Sequence, residues 1–137
     1  MLHKVLVYSR FPKAMMLRIG ERFELMDAAG KPPHEMFTAE QLSGIRAMIT
    51  AGGTPLGAAM MDKMPKLGAI VCYGTGYDGV DLKAAAARNI AVGHSPGANA
   101  ASVADIAMTL MLATMRRILV ADNMSAAAIG RRPSNLR

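Results

Sequence analysis

Tryptophan is missing from this chain altogether, and only three Phe and three Tyr are spread over its 137 residues. That leaves no aromatic platform on which nucleic-acid bases could stack, and no nucleic-acid module motif is present. Cysteine occurs once, at Cys72, which excludes a disulfide framework and a cysteine zinc site. Its place inside an apolar run marks it as a small buried hydrophobe. The three histidines, His3, His34 and His94, have no ligand spacing, so no metal site is expected. Long apolar runs are lacking too. The best, "IAMTLMLATM" between Asp105 and Arg116, is core length rather than bilayer length. The start, "MLHKVLVYSR", has neither an apolar h-region nor a small-residue cleavage site, so a cytoplasmic protein without membrane contact is expected.

What is present is a formal charge of +6, 52% hydrophobic and 19% charged residues, the balance of a globular domain. The basic excess is concentrated late: Arg116, Arg117, Arg131, Arg132 and Arg137 face the single acid Asp122. This reads as a solvated basic tail over 128–137 rather than a nucleic-acid surface. Thirteen methionines mostly occupy positions expected to be helical and to face a core.

Apolar runs alternate with helical patterns five times. Strands are expected at 4–9, 24–28, 46–51, 67–73 and 90–95. Helices are expected at 12–23, from Thr38, at 54–65 with Pro55 in its first turn and Pro65 as its stop, and at 81–89. Thr38 with Gln41 three residues later forms a capping box. In "AGKPPHEMF" the Pro-Pro pair excludes helix and sheet alike. A long helix is expected from about 99 to 127. Strands without polar alternation, separated by helices, call for a parallel sheet covered on both faces. Right-handed crossovers make this an α/β, flavodoxin-like, doubly wound five-stranded sheet of order 2-1-3-4-5.

The fourth strand runs into "GTGYDG", residues 74–79, which spells the dinucleotide fingerprint G-x-G-x-x-G. Three features oppose that use. The next strand ends in Gly93-His94-Ser95, with no acid to hold a ribose. Asp78 puts a carboxylate where a diphosphate would sit. The fingerprint also belongs after the first strand of its sheet, not the fourth. Two readings remain. Gly74 and Gly76 let the backbone turn successive N–H groups outward to a small anion such as a carboxylate, or they serve turn geometry alone. Asp78 or Asp81 caps the helix that follows.

From Pro65 to about Asp122, the stretch "PKLGAIVCYGTGYDGVDLKAAAARNIAVGHSPGANAASVADIAMTLMLATMRRI" and its continuation resemble the D-isomer-specific 2-hydroxyacid dehydrogenases. The match is to Gly-x-Gly-x-Asp-x-x-Asp after a strand, an Ala-rich helix, a strand ending near Pro-Gly, and Val-Ala-Asp opening a long helix. "MITAGGTPL" looks like that family's third strand and its loop. The resemblance implies a catalytic, substrate-binding domain over 1–98 and an interdomain-type helix over 99–127. It also implies a Rossmann domain for NAD or NADP that follows the helix and lies outside this chain.

By the same resemblance, the backbone N–H groups of Thr75 and Gly76 hold the carboxylate of a small 2-keto or 2-hydroxy acid. Asn99 lies near substrate and nicotinamide, and Val103 packs on the nicotinamide ring. The family's catalytic His, its carboxylate partner and its carboxylate-clamping Arg match no position here. The expectation is a portion of a glyoxylate/hydroxypyruvate reductase-like oxidoreductase, inactive alone and binding no cofactor tightly. The alternative is a truncated, non-catalytic carboxylate-binding or oligomerisation module. In either case a homodimer through the long C-terminal helix is expected.

Overall fold

A computed structural model describes residues 2–128. The chain forms two compact units, which divide between Ala98 and Asn99.

The first unit is built on strands β1 (Lys4–Val7), β2 (Glu24–Asp27), β3 (Ala47–Ala51), β4 (Ala69–Tyr73) and β5 (Ala91–Gly93). They pair in the order β2-β1-β3-β4-β5, every pair parallel, as the alternating pattern requires. Helices α1 (Lys13–Gly20), α2 (Pro33–Met36), α3 (Ala39–Ser43), α4 (Ala58–Met61) and α5 (Leu82–Ala87) connect them. The capping box is formed: Gln41 N–H donates to Thr38 Oγ1 at 3.3 Å and Thr38 N–H to Gln41 Oε1 at 2.8 Å. The Pro-Pro segment does not exclude helix, because Pro33 takes the first position of α2, where no N–H is needed. The helix expected at 54–65 shrinks to four residues, since Leu56 is drawn into a bridge with Val80.

The sheet is not covered equally on its two faces. Leu6, Met48 and Ile70 share one register row and are fully buried in a core completed by Leu42, Ile45, Met61, Met64 and Ala85. The opposite face is covered at β1 and opens toward β5. Along the row Val7, Ile49, Val71, Gly93, exposure rises from 1% at Val7 to 46% at Val71. The apolar residues of β4 thus reproduce a fully buried strand in sequence while only Ile70 and Cys72 are buried. The methionines also divide: Met26 and Met48 are buried on strands, and Met61 and Met64 are buried within the core. Met36, Met108, Met111, Met115 and Met124 are exposed.

Among the described residues the second unit holds two helices in place of the single one expected, α6 (Ala100–Met115) and α7 (Ile118–Ala128). The ladder ends as Arg116 N–H bonds Leu112 O and Arg117 N–H bonds Thr114 O, and Arg117 adopts φ +50°. A left-handed residue stops a helix, and here it is Arg rather than Gly, so composition carried no signal. Neither helix has a buried residue. Ile129 and all but the first residue of the basic tail lie outside the described residues.

Candidate carboxylate-binding site

At the carboxyl ends of β3 and β4 two glycine-containing loops dovetail backbone to backbone. Gly79 N–H donates to Gly52 O at 2.8 Å, Leu56 N–H to Gly79 O at 2.8 Å and Asp81 N–H to Leu56 O at 3.0 Å. A Cβ on Gly52 would overlap the Gly76 carbonyl, and one on Gly79 would overlap the Thr54 carbonyl. Only glycine allows this approach, so the second loop seats the first.

The turn itself rises from Gly74, whose φ of +113° is a conformation side chains rarely adopt. Gly74 O accepts from Ser95 N–H at 2.8 Å, and Thr75 O meets His94 Nδ1 at 2.9 Å. Because a carbonyl only accepts, His94 carries its proton on Nδ1 in this bond. The imidazole also meets the Tyr77 ring edge to face, with centroids 4.8 Å apart. Among the described residues no acceptor engages the N–H of Thr75 or Gly76. Two adjacent amides are therefore held in place and left without partners, an arrangement suited to an anion.

The arrangement does not suit a dinucleotide pyrophosphate. Amides Gly79, Val80 and Asp81 are already bonded within the two loops, and Ala84 N–H is capped by Asp81 Oδ1 at 2.9 Å. Asp78 Oδ2 lies 3.2 Å from where a Gly76 Cβ would stand, so a carboxylate borders the turn on that side. Of the two cap candidates, Asp81 is the one used.

The other two residues singled out in sequence belong to the second unit. Asn99 precedes α6 as its N-cap without a side-chain cap bond, and its carbonyl accepts from Val103 N–H at 2.9 Å. Val103 is half exposed on the first turns of α6. Thr75 with Gly76, and Asn99 with Val103, thus form two pairs, one in each unit. His94, Tyr77, Gly52 and Gly79 escaped sequence reasoning as parts of the site. The strand order held the signal, because β5 lies beside β4 and β3 on its other side. Among the described residues no group of His, Cys, Asp and Glu side chains could hold a metal, and no helix is long and apolar enough to cross a membrane.

The model of the D-isomer specific 2-hydroxyacid dehydrogenase catalytic domain matches residues 5–136. A glyoxylate reductase of Korarchaeum cryptofilum is 33% identical over 122 residues, which are 87% of this chain and 36% of that protein. Glyoxylate/hydroxypyruvate reductase B of Escherichia coli is 34% identical over 126 residues, 89% of this chain and 38% of that protein. The chain therefore spans less than two fifths of these relatives' length.

Among solved structures, a 2-hydroxyacid dehydrogenase from Ketogulonicigenium vulgare superposes with a TM-score of 0.82 at 28% identity. That match covers 91% of this chain and 39% of the other. An NADPH-dependent glyoxylate/hydroxypyruvate reductase from Sinorhizobium meliloti, in complex with NADP and malonate, gives 0.77 at 29% identity, covering 96% and 39%. With the sheet order, the Gly-x-Gly turn and the family match in agreement, this chain belongs to the D-isomer specific 2-hydroxyacid dehydrogenase catalytic-domain family.

Proposed function

We propose that this chain is the substrate-binding portion of an NAD(P)-dependent oxidoreductase. It would act on small 2-keto and 2-hydroxy acids of the glyoxylate and hydroxypyruvate type. The observation that carries the reading is the pair of unpartnered N–H groups at Thr75 and Gly76, fixed by Gly52 beneath and His94 beside. In this reading they receive the substrate carboxylate. Asn99 serves as a further polar contact to the substrate, and Val103 offers the apolar surface for a nicotinamide. The cofactor supplies the hydride, and a separate nucleotide domain carries it. We place the protein in the cytoplasm, in keeping with its single, buried cysteine.

By the family resemblance the proton donor and the cationic clamp belong to the part of the relatives' length not spanned here, and a 137-residue polypeptide of this sequence is expected not to turn over substrate. An N–H bond to a carboxylate contributes about 1.5 kcal/mol net at an exposed turn, so two amides alone hold it with a Kd on the order of several millimolar. Titration of the labelled chain with glyoxylate, followed by amide NMR, tests this. Saturable shifts at Thr75 and Gly76 are expected. An unmoved turn at 50 millimolar glyoxylate, roughly ten times a Kd of about 5 millimolar, would remove the carboxylate assignment.

A second reading, oligomerisation, is favoured by the exposed apolar residues Ile106, Leu110, Met111, Leu119 and Met124 of α6 and α7. We propose a homodimer through these helices. It is an alternative to the nicotinamide role of Val103, which a dimer packed along α6 would cover.

A further inference from the structure

In an open parallel sheet the connections leave to opposite sides where the strand order reverses, and a crevice is left at the carboxyl ends there. In this sheet that point is between β1 and β3, not at β4 where the Thr75–Gly76 turn stands. A cavity of about 410 Å³ occupies it. It is lined by Ser9 and Arg10 after β1, Gly30 and Lys31 after β2, and Ala51 and Thr54 at β3. We propose that this crevice is a second anion site, independent of the carboxylate turn, and that it takes a phosphoryl group.

The groove is prepared on three sides. Arg10 Nε donates to Ala29 O at 2.9 Å, and its stem packs at 3.6 Å from where a Cβ on Gly30 would lie. The turn that does this is unusual, with φ +52° at Ala29 and +80° at Gly30, and Asp27 Oδ1 accepts from Ala29 N–H at 2.7 Å. With Nε anchored, the two terminal guanidinium nitrogens are held as a fork. Lys31 brings an ammonium to the same groove. Among the described residues neither cation has a carboxylate within salt-bridge distance.

The third side is a hydroxyl network. Ser9 Oγ accepts from Ala51 N–H at 2.8 Å and lies 3.2 Å from Thr50 Oγ1 and 2.9 Å from Thr54 Oγ1. A ligand oxygen in the groove selects the arrangement in which Ser9 donates to Thr54 and Thr54 donates outward. Fork, ammonium and hydroxyl together offer donors to more than two oxygens. A planar carboxylate satisfies the fork alone, whereas a phosphoryl group presents three terminal oxygens. Asp27, close by but already bonded to Ala29 N–H, lowers the net charge of the region to about one positive, which keeps affinity modest.

Free phosphate and a phosphomonoester present the same group, so the test uses both. Inorganic phosphate and glycerol phosphate are titrated into the labelled 137-residue chain, with glyoxylate as the contrasting probe. Saturable amide shifts are expected at Arg10, Gly30, Lys31 and Thr54, weakening as salt rises. R10Q should weaken phosphate binding about tenfold, because a charge-assisted bond is lost, and K31Q several-fold. Both side chains are exposed, so the fold should be unaffected. A stronger response to glycerol phosphate than to phosphate identifies an ester ligand, and the reverse identifies the free ion. Three results would overturn the site: phosphate shifts confined to the Thr75–Gly76 turn or the C-terminal arginines, equal groove shifts with glyoxylate, or unchanged titrations in R10Q and K31Q. A failure of glyoxylate to move Thr75 and Gly76 bears only on the carboxylate reading.

Discussion

His94 Nδ1 lies 2.9 Å from the carbonyl oxygen of Thr75, and this bond aims the next amide. In a planar trans peptide the C=O and the N–H point in opposite directions. Holding Thr75 O toward β5 therefore directs Gly76 N–H the other way, where a carboxylate could meet it. In the proposed carboxylate reading His94 is thus a positioning residue that acts through Thr75.

The consequence can be measured. H94F keeps an aromatic ring against Tyr77 but removes the donor, and it should weaken glyoxylate binding several-fold with little change in melting temperature. H94Q, which restores an N–H donor, should recover part of the loss. If H94F binds glyoxylate as the native chain does, or H94Q behaves like H94F, the bond does not orient the amide.

The capping box and the Gly-x-Gly turn were legible because each is written in neighbouring residues, and the strand order because alternating strands and helices joined by right-handed crossovers admit few arrangements. Those partly or wholly illegible are tertiary. Val71 and Tyr73 look like buried strand residues, yet they are exposed, because hydrophobicity reports fitness for burial and not the presence of a cover. Arg117 ends a helix with no glycine or proline to announce it. His94 meets Thr75 only because β5 pairs with β4, and Gly52 meets Gly76 only because β3 lies on the other side.

That last contact predicts a contrast between adjacent glycines. A Cβ on Gly52 would overlap the Gly76 carbonyl, whereas one on Gly53 meets nothing within 4 Å. Overpacking at a backbone contact costs about 1–3 kcal/mol. G52A should therefore unfold at clearly lower urea than the native chain and displace the Gly76 amide resonance. G53A should remain within about 0.5 kcal/mol of native stability. Equal effects from the two substitutions would show that the loops do not interlock as described.

Burial pushes the Cys72 thiol above its ordinary range, through desolvation of the thiolate. The folded state then holds this proton more tightly than the unfolded one. Its stabilising contribution is complete below the unfolded thiol's pKa of about 8.5 and is lost as pH rises through the raised folded value. Stability measured by urea between pH 8 and pH 10 should fall more steeply for the native chain than for C72A. Thiol reagents should label Cys72 only at the rate at which the domain opens, since 1% of the residue is exposed. Rapid labelling under native conditions, or identical pH slopes, would contradict this environment.

The proposed dimer turns on the helices of the second unit. Val103, Ile106 and Leu110 recur at spacings of three and four residues, which places them along one stripe of α6, and each is more than half exposed. Met108, Leu112 and Met115 form another stripe, also exposed. Covering one aliphatic side chain is worth roughly 1.5–3 kcal/mol, and association costs on the order of 4–15 kcal/mol. Two copies of a three-residue stripe are enough to offset that cost only if they pack closely, which an Ala-rich helix allows. Light scattering should therefore report a dimer at tens of micromolar. I106E with L110E should return it to a monomer without lowering the stability of the first unit, because like charges would then face each other across the two-fold axis. A native chain that is monomeric at that concentration removes the dimer, and a dimer that survives the double substitution moves its interface off this stripe.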